Sequence, residues 1–245
     1  MRSRNLDRGA ISMRRGRAFT LIELLVVIVL ITLLASFLIT ILVRARAEGR
    51  CVTCMSNVRN LTVAYLAYCD ANDGCLFPVD NPFAQGGEPP DFETADIPEL
   101  TAYSGDPRIF HCIEDLRVGC RSYSINDYMG GTFPFIGLQH ARYLRRVQNM
   151  AHTFLFIEET PPKTRNGFIG GFVVLPYPSD HWVDAPAVPH PRGTCLSFVD
   201  GHAEFWQWID SRTRTLPITP FPKTTDNLDL VHLQGVLGQP GAPIQ

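Results

Sequence analysis

The feature that most constrains this chain is an apolar run of 25 residues, from Phe19 to Val43, which contains a single charged residue, Glu23. As an α-helix, such a run is long enough to cross a hydrocarbon core about 30 Å thick, because each residue adds about 1.5 Å. It is too long for an ordinary secretory signal, whose apolar core has about 7–15 residues. A carboxylate in a membrane span costs roughly 2.5–3.5 kcal/mol at the bilayer centre and less near the edge, so Glu23 requires a partner.

Charge is distributed unevenly around this run. Residues 1–50 carry nine Lys/Arg and three Asp/Glu, a net charge of +6, whereas residues 51–245 carry thirteen and twenty-one, a net charge of −8. Positively charged flanks of membrane helices stay in the cytoplasm, which predicts a cytoplasmic N-terminus and a C-terminal domain on the other side of the membrane. An acidic domain lacks the basic face that nucleic-acid binding requires, so no nucleic-acid partner is predicted.

The junction between the basic segment and the apolar run resembles the type IV prepilin signal. In Ala18-Phe-Thr-Leu-Ile-Glu23, a Phe follows a small residue and the Glu is fifth from that Phe. The resemblance implies that prepilin peptidase cuts between Ala18 and Phe19, that Phe19 is N-methylated, and that Glu23 pairs with a Phe19 amine during assembly. Ala18 stands where Gly is commoner, and Met13 is an alternative start that would leave a shorter basic leader.

The helix is expected to continue beyond the membrane. Apolar residues recur at helical spacing in the next segment, at Val58, Leu61, Ala64, Tyr65 and Tyr68. No proline interrupts this stretch, and Asp70–Gly74 offers Gly and Asn for a left-handed cap. We therefore predict one helix from Phe19 to about Cys69, apolar all round in its first half and amphipathic in its second.

The strongest strand signal is a hairpin around Asp200-Gly201. This pair lies between two apolar runs and fits a two-residue type I′ turn, in which both residues have positive φ. It predicts antiparallel strands at about Cys195–Val199 and His202–Trp208. Thr153–Glu158 is predicted to be a buried strand, and Gly167–Tyr177 a second, weaker one.

Two further segments have weaker signals. A short helix is predicted around Ile97–Tyr103, inside a Pro- and Gly-rich surface excursion from Pro78 to Pro107. The tail from Thr215 to Gln245 is Pro-rich and is predicted to be an extended, partly disordered arm.

Several segments resemble a narrower group of pseudopilin-like proteins that carry a C-terminal His-x9-Asp-Gly signature. Here His190 precedes Asp200-Gly201 with nine residues between them. Other matching segments are Cys54-Met-Ser-Asn57, Ala64–Asp70, Asn72-Asp-Gly74, Phe77-Pro78, Phe110-His-Cys112, Arg121–Asn126 and Met129-Gly130. Where the group usually has Cys-Pro-x-Asp, this chain has Cys112-Ile-Glu-Asp115, a partial departure.

These patterns together predict an α+β, pilin-like fold, in which a long N-terminal transmembrane helix packs on a small antiparallel sheet and the C-terminal domain is rich in loops. The predicted segments are a cytoplasmic leader at 1–18, the transmembrane and amphipathic halves of the helix at 19–43 and 44–70, a globular domain at 71–214 and a Pro-rich tail at 215–245.

The seven cysteines are an odd number for a domain outside the cytoplasm, so at least one thiol stays unpaired if disulfides form. Cys51 and Cys54 form a Cys-x-x-Cys pair. We interpret them as two thiols on one helix face, because no second such pair completes a zinc site. The better disulfide candidates flank short polar segments, with connectivity left open: Cys69/Cys75 and Cys112/Cys120.

Metal binding and catalysis have weak support. Asp180, Asp184, His190 and Asp200 are weak candidates for calcium or zinc; the mixed set suits zinc better, since calcium prefers oxygen ligands. The alternative is structural, with Asp200 shaping the turn and His190 hydrogen-bonding its backbone. The sequence has no Gly-x-Ser-x-Gly, Walker or His-Glu-x-x-His motif, so neither a cofactor nor an enzymatic activity is predicted.

We therefore predict a structural pilin- or pseudopilin-like subunit of a type II secretion or type IV pilus-like system. It would reside in the inner membrane with its domain in the periplasm, and assemble with copies of itself and other pseudopilins. Bundling supplies a nonpolar environment for apolar helices that leave lipid, and a head-to-tail contact that does not close gives a filament. The alternatives are a membrane-anchored binding domain that does not polymerise and an anchored metal-dependent envelope enzyme.

Overall fold

The computed structural model describes residues 19–79, 98–115, 121–131, 140–159, 171–217 and 222–238. The helices are α1 (Leu21–Ala71), α2 (Pro98–Ser104) and α3 (Leu228–Gly235), and the strands are β1 (Tyr123–Ile125), β2 (Phe154–Glu158), β3 (Gly193–Phe198) and β4 (Ala203–Gln207). Short 3₁₀ turns lie at Pro107–Phe110, Leu144–Arg146, Met150–His152 and Thr213–Thr215. A long apolar N-terminal helix followed by a small antiparallel sheet confirms the predicted α+β class.

The chain divides into two compact units, and the boundary falls within α1 between Ala45 and Arg46. In the N-terminal unit, the large apolar side chains from Leu21 to Val43 are all exposed. Among the described residues, α1 is the one helix long and apolar enough to cross a bilayer. This part of the chain therefore has the length and the apolar surface of a membrane span.

In the C-terminal unit, α1 is amphipathic as predicted. Its buried apolar side chains recur three or four residues apart, at Cys54, Val58, Leu61, Tyr65 and Cys69. The Tyr65 hydroxyl donates a 3.0 Å hydrogen bond to the backbone oxygen of Met129, so the buried ring also has its polar end satisfied. This face supplies one side of the hydrophobic core.

The end of α1 is a left-handed turn. The Gly74 amide donates a 2.8 Å hydrogen bond to the Cys69 oxygen, and both Asp73 and Gly74 have positive φ. The two left-handed residues are therefore Asp73 and Gly74, and not the Asn that the sequence offered for the cap. Asn72 instead donates a hydrogen bond from its side-chain amide to the Tyr68 oxygen at 2.7 Å.

The four strands pair in the order β1-β2-β3-β4, and every pair is antiparallel. All residues of β2 and β3 are buried. The β3–β4 hairpin runs from the pair Gly193 and Gln207 to the pair Ser197 and Ala203, close to the predicted strands.

The hairpin turn differs in type from the prediction. The Gly201 amide donates to the Phe198 oxygen and the Phe198 amide donates to the His202 oxygen, both at 2.9 Å. Gly201 has a φ of 98°, whereas Asp200 is not at positive φ. The loop therefore has three residues and ends in a left-handed glycine, and the type I′ prediction is wrong. This turn spares Asp200 the steric cost of a positive φ.

Other predictions meet mixed outcomes. Helix α2 lies within one residue of its predicted position, and β2 confirms the predicted buried strand. The strand predicted at Gly167–Tyr177 is wrong for residues 171–177, which contain only an isolated bridge from Phe172 to Asn126, while its earlier residues lie outside the described ones. A Cβ on Gly171 would meet the Ile125 oxygen at 2.7 Å, so the glycine serves a close backbone approach there.

The extended arm predicted from Thr215 is wrong for residues 222–238. Helix α3 occupies Leu228–Gly235, and the Asn227 side chain caps it by accepting the Leu230 amide. Leu230, Leu233 and Leu237 are buried in the core. A helix of eight residues is not stable alone, but the cap and the buried leucines fix it to the domain.

Candidate functional site

At the start of α1, Thr20 and Glu23 form a reciprocal capping arrangement. Glu23 Oε2 accepts hydrogen bonds from the Thr20 amide at 2.9 Å and from Thr20 Oγ1 at 2.7 Å. Thr20 Oγ1 in turn accepts from the Glu23 amide at 3.3 Å. This is the capping-box pattern of a helix N-terminus. Phe19 is exposed beside it, and Ala18 lies outside the described residues.

His190 and Asp200 of the predicted signature lie beyond opposite ends of strand β3. Asp200 Oδ1 accepts the backbone amide of His202 at 3.1 Å and lies 2.5 Å from its ring Nδ1, so its side chain helps to shape the turn. His190 does not hydrogen-bond that turn: its ring Nε2 lies 3.0 Å from Glu158 Oε1. The expectation that His190 supports the turn backbone is therefore wrong.

The four residues predicted as weak metal candidates do not meet. Asp180 pairs with His181 at 2.8 Å and with Lys223 at 3.2 Å. Asp184 accepts the Val173 amide at 2.7 Å. Asp200 remains in its turn, and His190 joins a different set of side chains.

That set is a buried cluster of four side chains, Cys54, Cys112, Glu158 and His190. Cys54 is on α1, Cys112 follows the 3₁₀ turn at Pro107–Phe110, Glu158 ends β2, and His190 lies just before β3. Their potential ligand atoms all lie within 4.8 Å of one another. Within the described part of the chain, this is the one group of three or more His, Cys, Asp and Glu side chains that could hold a metal ion.

The distances within the cluster are short. Cys54 Sγ lies 2.9 Å from Cys112 Sγ, Cys112 Sγ lies 3.6 Å from His190 Nε2, and His190 Nε2 lies 3.0 Å from Glu158 Oε1. The side chains of Glu158 and His190 are completely shielded from solvent. Burying ionisable groups is costly unless they are paired or coordinate a metal.

Neighbouring groups fix the Glu158 carboxylate. Its Oε2 accepts the Cys195 amide at 2.7 Å and the Thr194 hydroxyl at 3.3 Å. These bonds leave Oε1 directed toward His190. The other ring nitrogen of His190, Nδ1, is buried and has no hydrogen-bond partner among the described residues.

The cluster also perturbs the acidity of its members. A hydrogen bond from the Cys112 thiol outweighs burial and holds the pKa of Cys54 well below its usual range, whereas the same bond and burial raise the pKa of Cys112. Burial opposes a charged His190, but hydrogen bonds with Cys54 and Glu158 prevail and raise its pKa to about 9. Burial also raises the pKa of the neighbouring Tyr123. The cluster therefore favours the thiolate form of Cys54 beside a protonated His190, whereas Cys112 keeps its proton.

Sequence reasoning missed three of the four cluster residues. It grouped Cys54 with Cys51, but Cys51 Sγ lies 3.9 Å from Cys195 Sγ instead. It paired Cys112 with Cys120, which lies outside the described residues. The one signal available was the Glu that ends an otherwise apolar strand.

The predicted Cys69/Cys75 disulfide is wrong, because the structure has both as free thiols. Cys112 is also free.

Comparison with known proteins supports one part of the chain. Residues 13–39 match the family model described as the prokaryotic N-terminal methylation motif. No curated protein and no solved structure matches the chain. The motif and the long apolar helix support a prepilin-type, pilin-like protein that is anchored in a membrane and processed by prepilin peptidase. They point to a structural subunit rather than to an enzyme.

Proposed function

We propose that this chain is a structural subunit that prepilin peptidase cuts between Ala18 and Phe19 and that then assembles into a helical filament. The observation that carries the proposal is the methylation motif at residues 13–39, which includes this junction and the first part of α1. Helix α1 then continues without a break from Leu21 to Ala71. This combination supports a membrane-stored subunit better than a secreted one.

The exposed apolar surface of α1 limits where this segment can reside. Large side chains from Leu21 to Val43 remain exposed, and keeping apolar surface out of water is worth about 25 cal/mol per Å², so the surface must be covered both before and after assembly. Lipid covers this surface before assembly. Helices of neighbouring subunits would cover it afterwards, so one segment serves as membrane anchor and as filament core.

Glu23 would set the register of that core. Removing the leader leaves the Phe19 amine as the cation nearest to Glu23. An ionised carboxylate in an apolar bundle must pair or become protonated. The Glu23 carboxylate would reach the Phe19 amine of a neighbour at only one axial offset between the two subunits. The pair would therefore fix that offset along the filament.

The proposed topology follows from charge. The leader at 1–18 stays in the cytoplasm, residues 19–43 span the inner membrane, and the segments at 44–70, 71–214 and 215–245 lie in the periplasm. The net charges of +6 before residue 51 and −8 after it support this orientation. The system we propose is of the type II secretion or type IV pilus kind, with other pseudopilins as partners and His190, Asp200 and Gly201 as its signature.

The test is N-terminal sequencing and intact mass of the membrane-fraction protein, from cells with and without prepilin peptidase. We expect a mature N-terminus at methylated Phe19 in the first cells and an intact leader in the second. Ala18→Gly should be cut like the wild type and serves as the matched control. A mature N-terminus after Val43 would indicate an ordinary signal peptide and refute the proposal.

Shearing the cells tests assembly separately. Filaments in the sheared fraction support the proposal. A correctly processed protein that never leaves the membrane fraction would support the alternative of an anchored binding domain.

A further inference from the structure

We propose that Cys54, Cys112, Glu158 and His190 bind one zinc ion, which joins helix α1 to the sheet inside the C-terminal unit. The four side chains come from separate parts of the chain, yet their ligand atoms converge within 4.8 Å of one another. This site is independent of filament assembly. It shares only His190 with the predicted set of Asp180, Asp184, His190 and Asp200.

The donor atoms select the metal. Two sulfurs, one imidazole nitrogen and one carboxylate oxygen are all ligands that zinc accepts in a tetrahedral site. Calcium and magnesium prefer oxygen ligands, so the two cysteines argue against both. The thiols would lose their protons on binding, as zinc-bound cysteines do.

The spacing suits a tetrahedral ion after small side-chain movements. With zinc–sulfur bonds of about 2.3 Å and bonds to nitrogen and oxygen of about 2.0–2.2 Å, neighbouring ligands lie roughly 3.3–3.8 Å apart. The distance from Cys112 Sγ to His190 Nε2 is 3.6 Å, and the two shorter separations are 2.9 Å and 3.0 Å. Binding therefore requires these two shorter separations to widen by less than about 1 Å.

The surroundings resemble those of a ligand sphere. Hydrogen bonds from Cys195 and Thr194 hold one oxygen of Glu158 and leave the other for the metal. Such outer contacts orient metal ligands in proteins. All four residues are buried, so the site is closed, as structural zinc sites are, and has no obvious position for a substrate.

A disulfide between Cys54 and Cys112 is the main rival explanation. It would account for the two thiols but not for the carboxylate and the imidazole that converge on the same point with their side chains fully shielded. A metal ion accounts for all four groups. The site would then link α1, the segment before β1, strand β2 and the residues before β3.

The first experiment measures metal in the full chain, purified from membranes in detergent without chelators. Elemental analysis should find one zinc per chain in the wild type. Cys112→Ser and His190→Gln should lower it to background. Cys69→Ser is the matched control, because Cys69 is as fully buried as Cys112 and lies outside the cluster. This variant should keep its zinc.

A second measurement does not depend on whether the variants fold. Wild-type protein stripped of metal and loaded with cobalt(II) should show thiolate charge-transfer absorption and the intense visible bands of a tetrahedral site. A wild type that neither retains zinc nor binds cobalt in this way overturns the proposal. So does an intact mass showing a Cys54–Cys112 disulfide in the protein from cells, or an equal loss of zinc in Cys69→Ser.

Discussion

Leu61→Ala tests whether the second half of α1 is a structural part of the C-terminal unit. Leu61 is completely buried in the core, on the face of α1 that carries Tyr65. Truncating a buried leucine to alanine costs about 2–5 kcal/mol, depending on how far the cavity collapses. A domain of this kind is stable by only about 5–15 kcal/mol, so the loss is a large share of the total.

The expected change in melting temperature follows from the size of the unit. For about 150–250 residues, each kcal/mol shifts the midpoint by roughly 2–4 °C, so Leu61→Ala should lower it by roughly 4–20 °C. Fluorescence is a suitable probe, because Trp182, Trp206 and Trp208 are the chain's three tryptophans and all are buried in this unit.

The control for Leu61→Ala is a change on the exposed side of the same helix. Val63 is 58% exposed, and Val63→Ala should alter stability by no more than about 0.5 kcal/mol. Alanine is also the better helix former, which offsets part of any loss. If both variants melt at the same temperature, the reasoning that the buried face of α1 supplies one side of the core is refuted.

Three further predictions concern other parts of the chain. Gly201→Val should destabilise the domain to urea by about 1–3 kcal/mol, because the φ of 98° strains a β-branched residue even though its Cβ would meet open space, and Gly201→Asn should cost less. Burial, reinforced by the Asp127 carboxylate that pairs with His140, raises the pKa of Asp184 to about 7. Its contribution to stability is complete below the unfolded pKa of about 4 and is lost as pH rises through 7, so Asp184→Asn should flatten that part of the stability–pH curve. Glu23→Leu should be cleaved and inserted normally but give few sheared filaments per membrane-bound subunit, and Glu23→Asp should give more.

The long helix and the hairpin could be predicted because each depends on local signals. An unbroken apolar run and a 3–4-residue period define α1, and an Asp-Gly pair between apolar segments defines the β3–β4 turn. The predicted turn type was wrong because an Asp-Gly pair fits both a two-residue and a three-residue hairpin loop. The register of the two strands decides between these loop lengths. Helix α3 was missed because its short leucine pattern is surrounded by prolines, and tertiary packing decides its state.

The buried cluster could not be predicted because no spacing rule links its members. Cys54 and Cys112 are 58 positions apart, and Cys112 and His190 are 78 apart. Metal motifs read from sequence rely on pairs of ligands within one turn or loop. Here each ligand comes from a different element, so only the fold of the C-terminal unit brings them together. The one indication in the sequence was Glu158, a charged residue at the end of a buried strand.

The geometry at the start of α1 sharpens what the Glu23 variants can show. Glu23 uses Oε2 to cap its own helix through Thr20, and Oε1 makes no hydrogen bond within the described chain. The same carboxylate could therefore hold the helix end and still accept a neighbour's Phe19 amine. Loss of filaments in Glu23→Leu alone would not separate these two effects.

Two variants at these positions separate them. Glu23→Gln keeps a capping-box side chain but has no charge, whereas Thr20→Ala removes the cap, at a cost of about 0.5–2 kcal/mol, and keeps the charge. If pairing with the amine sets the register, Glu23→Gln should lose filaments while Thr20→Ala retains them. The measurement is the ratio of sheared filaments to membrane-bound subunit. The opposite pattern, with Glu23→Gln assembling normally and Thr20→Ala failing, would show that Glu23 acts by capping its own helix.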